Sequence, residues 1–117
     1  MSYQPGLHIL SRIYTHNLEL LTSSSRVKAF LTEEINRLSL HAVGEVYHQF
    51  EESGYTGVVC LTESHIAFHT WPEFNLLTLD IFLSNYQKNN EDAARKFWKS
   101  LHDFFECTEF QYEEVYR

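Results

Sequence analysis

Residues 63–73 read Glu-Ser-His-Ile-Ala-Phe-His-Thr-Trp-Pro-Glu, a short stretch holding two carboxylates, two imidazoles and two hydroxyls. Ser64 stands between an acid and a histidine at the junction of two strand-like runs, and His69 follows five residues later. A hydroxyl on a turn with an imidazole nearby is the pairing that makes a nucleophile and its base. Spacing alone does not separate that use from an incidental neighbourhood. The two histidines also raise a metal reading, which arithmetic removes. On a helix, His65 and His69 would share one face. On a strand, at about 3.3 Å per residue, they stand roughly 13 Å apart, whereas a metal–histidine bond is about 2 Å. His8, His16, His41, His48 and His102 are scattered and need no site to explain them.

The elements that must position this stretch follow from hydrophobic periodicity. Residues 7–14 read as a strand, with Leu7, Ile9 and Ile13 on one alternating set. The run Thr22-Ser23-Ser24-Ser25 is a loop whose hydroxyls suit a helix N-cap. From there to about Leu40, Val27, Phe30, Leu31, Ile35 and Leu38 form one helical stripe. Residues 42–50 and 55–62 pair through Glu51-Glu52-Ser53-Gly54, and 65–71 and 76–84 through Pro72-Glu73-Phe74-Asn75. Such close pairs predict hairpins and an antiparallel sheet. Asn89-Asn90 opens a second helix, with Ala93, Ala94, Phe97, Trp98, Leu101, Phe104 and Phe105 on its apolar face, and 108–115 is a last strand. The order β-α-β-β-β-β-α-β predicts an α+β fold, a two-layer sandwich with both helices on one face of the sheet. The other face then meets solvent or a partner. The aromatic content favours a partner, a second copy of the chain.

A chain of 117 residues fits one domain. Only 4 Gly and 2 Pro exclude collagen-like and disordered classes. A formal charge of −7 argues against nucleic-acid binding, because a polyanion is repelled. Two cysteines, Cys60 and Cys107, make no disulfide framework, point to a reducing compartment and read as structural. Gln4, His8, Arg12, His16 and Glu19 interrupt any signal-peptide apolar stretch. The longest aliphatic run, Val58 to Leu61, falls far below the roughly 20 residues of a membrane span. The expectation is a soluble cytoplasmic protein.

The stretch Gly57-Val58-Val59-Cys60-Leu61-Thr62-Glu63-Ser64-His65, followed by His69-Thr70-Trp71-Pro72-Glu73, resembles the bacterial S-adenosylmethionine decarboxylase family. Gly6-Leu7-His8, Tyr47-His48-Gln49-Phe50 and Leu79-Asp80-Ile81-Phe82 extend the likeness over most of the chain. The resemblance implies a zymogen that cuts itself between Glu63 and Ser64, leaving residues 1–63 and 64–117 with a pyruvoyl cofactor at position 64. In that scheme the Ser64 hydroxyl attacks the Glu63 carbonyl, and elimination then breaks the chain. The resemblance makes His69 the helper in proton removal and Thr56 the hydroxyl that assists the ester step. It implies that the ketone takes the substrate amine as a Schiff base and accepts the electron pair released with CO2. It places Phe50 against the substrate's adenine and Glu73 on the ribose hydroxyls. It implies a homodimer of cleaved protomers with sites near the shared interface, in polyamine (spermidine) biosynthesis.

The chain departs from the family pattern at a few positions. Ser84-Asn85 replaces the usual Cys-Gly, so a hydroxyl stands where a thiol would return a proton to the substrate carbon. A thiol titrates near 8.5, and an aliphatic hydroxyl is a far weaker acid. Ala67, Phe68, Phe74-Asn75-Leu76 and Leu7 also differ, and a bulkier Phe68 would reshape the pocket. Two alternatives therefore stand beside the main reading: a pyruvoyl decarboxylase of another amino acid such as ornithine or arginine, and an uncleaved relative that binds or regulates a partner.

Overall fold

The computed structural model describes residues 2–117. Strands β1 (Leu7–Tyr14), β2 (Ala42–Gln49), β3 (Tyr55–Leu61), β4 (His65–Trp71), β5 (Leu76–Leu83) and β6 (Glu109–Tyr116) form one sheet. Their spatial order is β2-β3-β4-β5-β1-β6, and every neighbouring pair is antiparallel. Helices α1 (Leu18–Thr22), α2 (Ser24–Arg37) and α3 (Glu91–Phe104) complete the fold. The expected α+β sandwich is the one observed. Among the described residues, no helix is long and apolar enough to cross a membrane.

Alternation sorts each strand into two sets. Leu7, Ile9 and Ile13 of β1, Val59 of β3, Ile66 and Phe68 of β4, and Leu77, Leu79, Ile81 and Leu83 of β5 are buried. They form one core with Val27, Leu31 and Ile35 of α2 and Ala94, Phe97 and Leu101 of α3. The alternate residues face away from that core: His8 and Arg12, Thr56 and Cys60, His65 and His69, and Asp80 and Phe82. The register confirms this sharing, because His8 and His65 both lie opposite Phe82, and Thr56 lies opposite His69.

Local chemistry differs from the sequence reading at the helix ends. Residues 18–22 form α1, to which the periodicity assigned no element; the Asn17 side chain accepts from the Leu20 N–H at 3.2 Å. The serine run does not cap α2. Ser23 Oγ pairs with Ser25 Oγ at 3.2 Å, and the Ser24 N–H goes to Gln49 Oε1 at 3.0 Å. Helix α2 ends at Arg37 because Ser39 turns left-handed at φ 58°, and the Leu40 N–H returns to Ile35 C=O at 2.9 Å. Asn90 stands at the cap position of α3, but its side chain is used elsewhere.

Buried polar groups tie α1 to the sheet. Tyr55 Oη donates to Leu20 C=O at 2.7 Å, and Thr70 Oγ1 donates to Leu21 C=O at 2.7 Å while accepting from the Tyr55 N–H at 2.8 Å. Burial holds the Tyr55 phenol above its ordinary range. At the other edge, Arg95 of α3 grips Glu114 of β6 with two bonds of 2.9 Å, pushing that carboxyl down to about 2. Phe97 is fully buried between the layers. Phe97→Ala should cost about 3–5 kcal/mol, read as a lower urea midpoint at an unchanged slope; a loss under 1 kcal/mol would mean that α3 does not pack as described.

Candidate active site

The hairpin joining β3 to β4 turns through Thr62, Glu63 and Ser64. The Leu61 N–H closes it on Ser64 C=O at 2.9 Å, and the Thr62 N–H reaches His41 C=O at 3.2 Å. Glu63 is exposed and Ser64 half-buried. Ser64 Oγ accepts a 2.9 Å hydrogen bond from the main-chain N–H of Ser84, the residue that follows β5. A cleft of about 370 Å³ opens beside them, lined by Leu40, His41, Glu63, Ser64, Ser84, Lys88 and Asn90 among others. The fold therefore brings the adjacent Glu63 and Ser64 together with Ser84, 20 residues on from Ser64.

Thr56 and His69 meet at the opposite end of the sheet. They are register partners on β3 and β4, with Thr56 Oγ1 2.8 Å from His69 Nδ1. Phe50 follows β2 at the same end, 48% exposed and edge-on to the His48 ring at 4.7 Å. The exposed Glu73 sits in the 3-10 turn Pro72–Phe74 that follows β4. Asn75 closes this turn with a left-handed φ of 53°, its N–H on Pro72 C=O at 3.1 Å.

The nucleophile–base pairing that spacing suggested is thus not made within one chain. His69 lies five residues along β4 from Ser64, about 16 Å of strand. The seven candidate residues divide into two groups: Glu63, Ser64 and Ser84 at one end, and Phe50, Thr56, His69 and Glu73 at the other.

Two further readings change. Phe68 does not face the open side of the sheet. It is 2% exposed in the helix-facing core against Tyr47 and Tyr55, under Gly57, where a Cβ would stand 2.3 Å from its ring. Its bulk is absorbed by the missing side chain at 57 rather than by a pocket. Cys60 is not packed as a structural thiol; it is exposed on the open face, opposite His65.

Periodicity also passed over a polar cluster beside Ser64. His8 is only 9% exposed, with Nε2 3.8 Å from Asp80 Oδ1 and without a hydrogen-bond partner among the described residues. Arg117 Nη1 approaches His8 Nδ1 at 3.4 Å, and the His65 ring stands edge-on at 6.0 Å. The available signal was placement: His8 occupies the alternate set of β1, diagonal to Asp80 on the adjacent β5. Burial lowers the His8 pKa most. Arg117 and His65 add to the lowering, and Asp80 opposes it.

Comparison with known proteins bears on what this arrangement does. Residues 7–117 match the S-adenosylmethionine decarboxylase family. The chain belongs to that family. It is 38% identical over 92 residues to the S-adenosylmethionine decarboxylase proenzyme of Archaeoglobus fulgidus, covering 79% of this chain and 82% of the relative. It is 36% identical over 96 residues to that of Thermoplasma volcanium, covering 82% and 74%. The crystal structure of the adenosylmethionine decarboxylase from Aquifex aeolicus superposes with a TM-score of 0.87 at 25% identity, over 99% of this chain and 92% of that one. The family likeness thus spans both ends of the sheet.

The His8 environment has a measurable consequence. A histidine whose folded pKa lies below its unfolded value of about 6.5 binds fewer protons when folded, so its contribution to stability falls as pH drops below that value. Urea unfolding at pH 7.5 and 5.5 should show wild type losing more stability over this interval than His8→Asn. Equal losses would mean that His8 is not held neutral by burial.

Proposed function

We propose that this chain cuts itself between Glu63 and Ser64, turns Ser64 into a pyruvoyl group, and as a dimer of cleaved copies decarboxylates S-adenosylmethionine. The observation that carries this reading is the Ser64 hydroxyl. It is held at a hairpin tip by the Ser84 N–H and lines a cleft, in a chain of this family. Ser64 suits the group it must become: its hydroxyl sits on Cβ, ready to be lost from the carbon next to a removable Cα proton, with room beside it. Once made, the pyruvoyl group supplies an electron-accepting carbonyl.

The chain's own residues do the rest. The Thr56–His69 pair offers an imidazole that can take a proton, oriented by a hydroxyl at Nδ1. The exposed face of Phe50 suits a purine ring, and Glu73 can accept from two ribose hydroxyls. By the family likeness, the Ser84 hydroxyl takes the place of the group that returns a proton to the substrate carbon.

These groups converge only if a second copy is present. The open face exposes Val46, Val58, Trp71 and Leu10, an apolar surface that monomers rarely leave uncovered. Two sheets packed through these faces about a two-fold axis would set Phe50, Thr56, His69 and Glu73 of one copy beside Ser64 and Ser84 of the other. The product, decarboxylated S-adenosylmethionine, is an aminopropyl donor for spermidine.

Intact-mass measurement should find residues 1–63 and 64–117 as separate species, and Ser64→Ala should stay whole. A single uncut chain after long incubation would favour the uncleaved binding relative. Co-expression of Ser64→Ala with His69→Ala tests the shared site. In the mixed dimer, Ser64 of the His69→Ala copy faces the intact His69 of the other, so that copy alone should be cut. If neither copy is cut, each chain completes its own site and the two-fold arrangement is wrong.

A further inference from the structure

We propose that the main-chain N–H of Ser84 is the hydrogen-bond donor that drives cleavage at Ser64, and that Asn90, braced by Asn85, is the positioning residue that aims it. The inference rests on the self-cleavage reading and assigns a part of its machinery.

The register of β4 on β5 ends at the pair His65–Phe82. Two residues further along β5, a continued antiparallel ladder would give the Ser84 N–H to a carbonyl of the facing strand. Here it goes to a side-chain oxygen, Ser64 Oγ, at 2.9 Å. Its neighbours hold it there. Asn90 Nδ2 donates to Ser84 C=O at 2.8 Å, the Asn90 N–H donates to Asn85 Oδ1 at 2.7 Å, and Asn85 Nδ2 donates to Pro5 C=O at 2.9 Å. Asn90 occupies the cap position of α3 but does not cap it with its side chain; Asn89 Oδ1 takes the Glu91 N–H instead, at 2.9 Å. A side chain well suited to capping is thus committed to the peptide that carries the donor.

The atom this donor touches changes role through the reaction. In the first step Ser64 Oγ bonds to the Glu63 carbonyl carbon, the Glu63–Ser64 C–N bond breaks, and the hydroxyl proton ends on the freed Ser64 amine. The bond from Ser84 leaves the O–H and a second lone pair of Ser64 unencumbered. In the second step a base takes the Ser64 Cα proton, the Cβ–Oγ bond breaks, and its electron pair leaves on Oγ, which departs as one oxygen of the Glu63 carboxylate. The dehydroalanine left at 64 takes up water and releases ammonia to give the ketone. The oxygen under the Ser84 N–H is therefore the one that gains negative charge. A hydrogen bond to an ionised acceptor is about twice as strong as one between neutral groups, so the donor favours the transition state over the starting ester. A backbone N–H is supplied by any residue except proline, so this part of the machinery is indifferent to serine standing for cysteine at position 84.

The test times cleavage from refolding. Residues 1–59 and a synthetic 60–117 segment are ligated at Cys60 in denaturant, with either an amide or an ester joining residues 83 and 84. Intact mass is read with and without hydroxylamine, which cuts a Glu63–Ser64 ester into residues 1–63 and a fragment that begins with serine at 64; cutting of the 83–84 ester gives residues 1–83 instead and is told apart by mass. The 83–84 ester should slow chain breakage about 100-fold, the usual loss for one oxyanion donor. It should also let the species that hydroxylamine cuts at 63–64 accumulate while circular dichroism shows the native fold. If that analogue does not refold, Asn90→Asp, nearly isosteric but lacking the donor to Ser84 C=O, decides: breakage should slow about tenfold, with the same accumulation. Breakage at the all-amide rate in the folded analogue, or in Asn90→Asp, would overturn the assignment. An all-amide chain that folds and never breaks would instead overturn the self-cleavage reading, and this inference with it.

Discussion

An extended strand advances about 3.3 Å per residue and cannot fold back on itself. Strand β4 obeys that limit from His65 to Trp71, and most of the site's geometry follows. Ser64 enters the strand at one end and His69 leaves near the other, so the eleven-residue motif that looks like one active site in sequence is stretched across the sheet. Thr56 is carried with His69 because the two are register partners, and Ser84 is carried with Ser64 because β5 returns alongside β4. The rigidity that separates the halves also makes each half well defined.

Alternation supplies the second consequence of the same geometry. With three helices on one face, the odd-numbered residues of β1 and β5 are drawn into the core, and the even-numbered ones are left on the open side. That side holds His8, His65, His69 and Asp80 among exposed aliphatic and aromatic groups. A single copy leaves it bare, and the proposed second copy would cover the apolar surface and join the two groups of candidate residues.

The elements themselves were largely readable, for stated reasons. All six strands lie within a residue or two of the periodicity reading, because each buries one face and alternation is strict. Helix ends were read less well. The serine run before α2 and Asn90 before α3 have the composition of caps, yet the Ser23 side chain goes to Ser25 and that of Asn90 to Ser84. Helix α1 escaped because five residues hold too little of a 3.6-residue period to be recognised. Phe68 was read as a pocket residue because Gly57, which makes room for it, lies on the neighbouring strand.

What the sequence determined by itself was chemical identity and order: a serine between an acid and a histidine, an imidazole five residues on, a hydroxyl in place of a thiol at 84, and the strand and helix pattern that carries them. Family likeness was legible because it resides in an unbroken run of residue types. Only the tertiary structure decided which of those groups touch. The Ser84 N–H on Ser64 Oγ, the Asn90 brace behind it and the distance between Ser64 and His69 depend on how strands align side by side. A backbone N–H has the same chemical form at every residue except proline, so its partner is set by strand register and by the loop that ends the ladder.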